Sequence, residues 1–206
     1  MYIMSRIVNR APIKRALLIG IDYIDTPDRL YGSINDINLI RQHIVTKCNY
    51  NAINIRTMTD VGFKPTKNNI INGINWFVSN LQSGDTLFFH YSGHGTSLID
   101  RNNDELDGQD EGIVPLDYAT SGLILDDWFY INLIKRIPAG VTLYGFFDCC
   151  RSGTMVDIKY NIKHLVQPKI PITQPITSYV YDNWHNNYIL SIDNTPTVSG
   201  NIFIFQ

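Results

Sequence analysis

Residues 86–95 read Thr-Leu-Phe-Phe-His-Tyr-Ser-Gly-His-Gly and residues 141–150 read Val-Thr-Leu-Tyr-Gly-Phe-Phe-Asp-Cys-Cys. Each is an apolar, aromatic run of strand length, buried on both faces by its lack of alternation and closed by small or polar residues. Arg15 to Asp22 is a third such run, and Ala52 to Met58 alternates Ile53, Ile55 and Thr57 with polar residues, the pattern of a further strand. Between the strands, Ile34, Ile37, Ile40, Ile44 and Val45 recur at helical spacing to about Cys48, with Ser33 and Asp36 resembling a capping pair. Thr66 opens a helix whose stripe is Ile70, Ile71, Ile74, Phe77, Val78 and Leu81, stopped at Ser83-Gly84. An acidic loop follows from Asp100 to Glu111, and Asp126 or Asp127 opens a helix carrying Trp128, Ile131, Ile134 and Ile137. The order β-α-β-α-β-loop-α-β predicts an α/β fold in three layers, a mostly parallel central sheet flanked by helices. Ligands of such sheets bind beyond the carboxyl ends of the strands.

The 206 residues suit one domain with a full core. Residues 1–14 read as an N-terminal arm, 15–157 as the core, and 158–206 as an irregular linker that ends in a short strand, Asn201 to Phe205. With 17 basic and 19 acidic residues and no Lys/Arg cluster, nucleic acid is not an expected partner. No apolar stretch approaches the ~20 residues of a membrane span, and the charged N-terminus does not suit a signal peptide. Three cysteines, two of them adjacent, suit a reducing compartment, so a cytoplasmic monomer is expected.

The residues past the strands are the chemically interesting ones: Asp22, His94, Cys149 and Cys150. A thiol of pKa about 8.5 is mostly protonated at neutral pH and becomes a nucleophile when a base within hydrogen-bond reach takes its proton. A histidine and a cysteine at the exits of two strands meet that need. A buried thiol and a core histidine are the ordinary alternative.

The blocks His90-Tyr91-Ser92-Gly93-His94-Gly95 and Asp148-Cys149-Cys150-Arg151-Ser152-Gly153 resemble the two signature blocks of the metacaspases, cysteine proteases with a caspase-like fold. The resemblance covers about Arg15 to Asp157. It implies a catalytic dyad of His94 and Cys150, an oxyanion hole from the N–H groups of Gly95 and Cys150, a bystander Cys149, and a core position for His90. Leu30 to Asp36 resembles a further family stretch, and Asp36 and Asp148, with Ser92 beside them by resemblance, imply a pocket for Lys or Arg of a polypeptide substrate. Animal caspases, which prefer aspartate, place an arginine and a glutamine where this chain has neither. Asp36 alone would serve equally well as a helix cap.

Asp110 to Asp117 resembles the family stretch that binds calcium, and with Asp126, Asp127 and Asp157 it implies a Ca²⁺ site of Asp110, Asp126, Asp127 and Asp157. Without the resemblance, Asp100 to Glu111 is a solvated loop. Its match to an EF-hand at Asp100, Asn102, Asp104 and Glu111 fails at Glu105, where the turn glycine belongs. The spacing of His90 and His94 lacks a metalloprotease glutamate, which argues against zinc. The chain departs from the family at Ser33 and Arg151, and it stops inside what the resemblance makes a fifth strand, so a truncated member or a fragment is expected. Its heavy use of Asn and Ile suits an AT-rich genome such as a protist or giant virus carries. The expected function is a cysteine endopeptidase cleaving after Lys or Arg, calcium-stimulated and self-processing at Lys159, Lys163 or Lys169. The rivals are a weak pseudoprotease or interaction module with the same fold, and a calcium-binding regulatory domain.

Overall fold

The computed structural model describes residues 10–99, 109–149, 160–165, 180–181, 188–192 and 200–205. Its elements begin with β1 (Lys14–Gly20), α1 (Ser33–Lys47), β2 (Ile55–Thr59), α2 (Lys67–Phe77), β3 (Thr86–Ser92), β4 (Gly95–Ile99) and β5 (Gln109–Ile113). There follow α3 (Tyr118–Ser121), β6 (Ile124–Leu125), α4 (Asp126–Asn132), β7 (Thr142–Asp148), β8 (Tyr160–Leu165), β9 (Val180–Tyr181), β10 (Tyr188–Ile192) and β11 (Asn201–Phe205). Six strands form one sheet in the order β2-β1-β3-β7-β11-β9, with every neighbouring pair parallel.

Alternation along the strands divides the core into two. Leu17 and Ile19 of β1 and Leu87, Phe89 and Tyr91 of β3 face one way, into a large core with Ile70, Ile74 and Phe77 of α2 and Phe129 of α4. Ala16 and Leu18 face the other way, into a smaller core with Ile37 and Ile44 of α1, joined by Phe88. The result is the expected three-layer α/β arrangement. On the α1 side a Cβ at Gly20 would lie 2.6 Å from both Ile37 and the Ser33 carbonyl, so glycine at the end of β1 lets the helix sit directly on the strand.

Local readings differ from the outcome in several places, among them the end of α2 at Phe77, ahead of Ser83-Gly84, and the start of α4, where Leu125 is the N-cap, no side chain caps the helix, and Asp126 and Asp127 lie in its first turn. Ser33 does not cap α1: the N-cap is Gly32, whose φ of 140° glycine adopts freely, and no side chain bonds the end of the helix there. Ala52–Asn54 forms a 3₁₀ turn rather than the start of a strand, because the Asn51 side chain accepts the Ile53 N–H and curls the chain. The stretch read as an acidic loop to Glu111 ends inside β5, which pairs antiparallel with β4 just before that stretch and carries β6 on its other side. Finally, β8 and β10 pair antiparallel, and β9 lies beside β11, within the stretch read as unpatterned. Polar strands such as Gln109–Ile113 owe their form to a partner distant in sequence, and this leaves little local period to read.

At the amino end of the sheet, Asp85 ties the chain preceding β1 to β3. Its carboxylate takes two hydrogen bonds from Arg10, one at 2.7 Å, and one each from the N–H groups of Ile13 and Gln82 at 2.9 Å. No described helix is long and apolar enough to cross a membrane.

Candidate active site

The carboxyl ends of β1, β3 and β7 lie side by side, with Ser92 in register with Gly20 on one side and Asp148 on the other. His94, half-buried past β3, is held on three sides. Its N–H donates to the Tyr23 hydroxyl at 3.1 Å, its carbonyl accepts from the Tyr91 hydroxyl at 2.7 Å, and its ring lies 4.7 Å from that of Tyr23. Tyr23 in turn donates to the Val114 carbonyl at 2.6 Å, and Val114 donates its N–H to the His94 carbonyl at 3.2 Å. Gly93 leaves room for this cluster, because a Cβ there would lie 2.7 Å from the buried Tyr91 hydroxyl.

The imidazole's Nε2 lies 2.7 Å from the Asp28 carbonyl oxygen. A carbonyl only accepts, so Nε2 is the donor of this bond. The Asp28 carboxylate accepts from the Tyr118 hydroxyl at 2.5 Å, which fastens that loop to α3. Gly95 begins β4. Cys150 lies outside the described residues, while Cys149 packs against the large core.

On the α1 side of the sheet the structure brings together Asp36, Ser92 and Asp148. Ser92 is 3% exposed and Asp148 is exposed. Burial, then the charges of Asp148 and Asp22, push the Asp36 carboxyl above the usual carboxylate range. Asp22, which the sequence marks at a strand exit but gives no part in the pocket, thus adds a third carboxylate to the group, and its Oδ1 is buried without a hydrogen-bond partner among the described residues. Continuing the alternation of β1 two residues past Gly20 was the signal that would have found it.

Of the four expected calcium ligands, Asp157 and the side chain of Asp110 fall outside the described set, though Asp110 sits on β5 opposite Leu98. Asp126 is 1% exposed, and its two oxygens accept the N–H groups of Asp127 and Glu111, each at 2.9 Å. Asp127 follows it in the first turn of α4. Among the described residues no group of three or more His, Cys, Asp or Glu could hold a metal ion. Lys163 lies within β8, and Lys159 and Lys169 are outside the described residues.

Residues 14–159 match the family described as metacaspase, peptidase C14 domain. Metacaspase-1 of Candida albicans is 43% identical over 156 residues, covering 71% of this chain and 35% of its own length. Metacaspase-2 of Arabidopsis thaliana is 39% identical over 151 residues, covering 71% and 36%. A crystal structure of a Geobacter sulfurreducens protein shares the fold with a TM-score of 0.56 and 29% identity, over 69% of this chain and 52% of that one. The chain spans about a third of the length of the curated relatives it matches.

Proposed function

The chain belongs to the metacaspase family, and from that premise we propose that it is a cysteine endopeptidase that cleaves after Lys or Arg with a His94–Cys150 dyad. The observation that carries this reading is the tethering of His94, whose Nε2 faces a carbonyl while Nδ1, without a hydrogen bond among the described residues, lies beyond the carboxyl end of β3. In the proposed reaction Nδ1 takes the Cys150 proton and the thiolate adds to the scissile carbonyl carbon. The N–H groups of Gly95 and Cys150 receive the oxyanion, and the imidazolium then protonates the departing amine. Water hydrolyses the remaining thioester. The substrate's cationic side chain enters between Asp36 and Asp148, beside Ser92.

Calcium completes the proposal, held by Asp110, Asp126, Asp127 and Asp157. The buried Asp126 and Glu111 are hard oxygen donors of the type that ion takes. The ion supplies positive charge that lets these carboxylates converge. Self-processing follows at Lys159, Lys163 or Lys169.

The test is hydrolysis of Arg-, Lys- and Asp-ending fluorogenic peptides, with calcium and with chelator. Arg- and Lys-ending peptides should be cut, faster with calcium. Cys150→Ala and His94→Ala should each abolish most turnover and the pair little more, because dyad members act as a unit. Retained hydrolysis in Cys150→Ala ends the dyad assignment. Preference for Asp-ending peptides ends the pocket assignment.

A further inference from the structure

On its α1 side, β3 presents Phe88, His90 and Ser92 in turn, and β7 presents Tyr144, Phe146 and Asp148 beside them in register. His90 lies one step inward from Ser92 and is the diagonal neighbour of Asp148 on the same face. It is 6% exposed, and its Nδ1 is buried with no hydrogen-bond partner among the described residues. A phenylalanine would fill this place without leaving a polar atom unmet, as Phe146 does with its ring centre 6.1 Å away. Unmet buried polar atoms are costly and uncommon.

Three carboxylates, Asp22, Asp36 and Asp148, crowd the rim above it, close enough for the charges of the other two to act on Asp36. Burial lowers His90 to about 4 against the opposing pull of Asp148, so the imidazole is uncharged at neutral pH. An ammonium or guanidinium head only donates hydrogen bonds and has more N–H groups than two carboxylates use in a fixed geometry. A neutral acceptor at the bottom meets the remaining donor without adding to the repulsion among the acids.

We propose that His90 is a specificity-determining residue at the floor of the acidic pocket, its uncharged imidazole accepting a hydrogen bond from the cationic head of the substrate's Lys or Arg side chain. The inference rests on the reading of that pocket as a site for basic residues.

The experiment uses the full chain carrying Cys150→Ala and two peptides of one length, ending in Arg and in norleucine. Affinities are measured by calorimetry, and the His90 ring nitrogens are followed by NMR, assigned by their loss in His90→Phe. The Arg peptide should move the His90 signal and the norleucine peptide should not. His90→Phe should bind the Arg peptide about tenfold more weakly, with norleucine affinity unchanged, and His90→Gln, which keeps an acceptor, should regain much of the loss. Unchanged Arg affinity in His90→Phe with an unmoved signal overturns the role of His90 while leaving the pocket intact. Equal losses for both peptides, or for Gln and Phe alike, make the residue structural and overturn it too. If the unsubstituted pocket does not prefer Arg to norleucine, the basic-residue reading itself fails and takes this inference with it. Should His90→Phe not fold, the signal shift and His90→Gln still decide.

Discussion

Asp85 and Asp36 are the same side chain near opposite ends of one sheet, and the protein treats them in opposite ways. Asp85 is saturated: Arg10 grips both oxygens and two backbone N–H groups complete the set. Burial opposes its charge, but these donors outweigh it and hold the carboxyl below the ordinary carboxylate range. Asp36 has burial and the like charges of Asp148 and Asp22 against it, and its carboxyl is pushed up. A carboxylate whose every need the chain meets is a structural tie. One held among like charges with no donor among the described residues is poised for a cationic ligand, and in parallel sheets the carboxyl end is where such groups belong.

The largest effect expected from this contrast is at the saturated end. Asp85→Asn leaves the Arg10 fork and two N–H groups competing for one carbonyl oxygen, and should cost about 3 kcal/mol in urea unfolding at neutral pH. Because the folded carboxyl is depressed, its contribution is present above the unfolded value of about 3.9 and is lost as pH falls through the folded value. The gap between native protein and variant should therefore narrow toward pH ~3. A gap that does not depend on pH would mean that packing, not charge pairing, holds the arm to β3.

The carboxyl end has a saturated cluster of its own, and Tyr23→Phe probes it. The lost hydroxyl leaves the His94 N–H without its acceptor and weakens the hold on the Val114 carbonyl. A cost of about 1–2 kcal/mol is expected. The catalytic consequence should separate from that of the acidic pocket: kcat falls as the imidazole loses its placement, while KM for Arg-ending peptides stays. A change in KM instead would show that the two clusters are not independent.

The elements that carry these groups differ in how far they could be read from sequence. The strands β1, β3 and β7 are legible because each is an unbroken apolar run, although β7 buries only one face and leaves Tyr144 and Asp148 exposed on the other, and α2 because Ile70, Ile74 and Phe77 keep one period under a true Thr66 cap. The strand exits then place His94, Asp148 and the paired cysteines without any side-chain detail. What held His94 in place was less legible. Tyr23 lies on the core-facing alternation of β1 and was readable in principle, but the Asp28 carbonyl carries no residue-type signal, since any residue supplies one. The β4–β5 pairing escaped for the same kind of reason: its stability comes from a partner strand and not from the composition of either strand.

The smallest effect is also the one that most directly tests the contrast. Asp36→Asn removes one charge from a repelling group of three, so it should stabilise the protein at neutral pH, by about 0.5 kcal/mol for a half-exposed like-charge contact. The sign follows from the direction of the shift. A carboxyl raised in the folded state binds its proton more readily there than in the unfolded chain, so its favourable contribution is present below the unfolded value and is lost as pH rises through the folded one. The variant's advantage should accordingly be seen at pH ~7 and vanish near pH ~3, the reverse of Asp85→Asn. Hydrolysis of Arg-ending peptides should move the other way and fall steeply, since a buried cation would lose one of its partners. Stability gained together with activity lost is the mark of a group kept for its ligand. If Asp36→Asn is instead destabilised at neutral pH, the carboxylate has a donor of its own, and the two ends of the sheet differ in position alone.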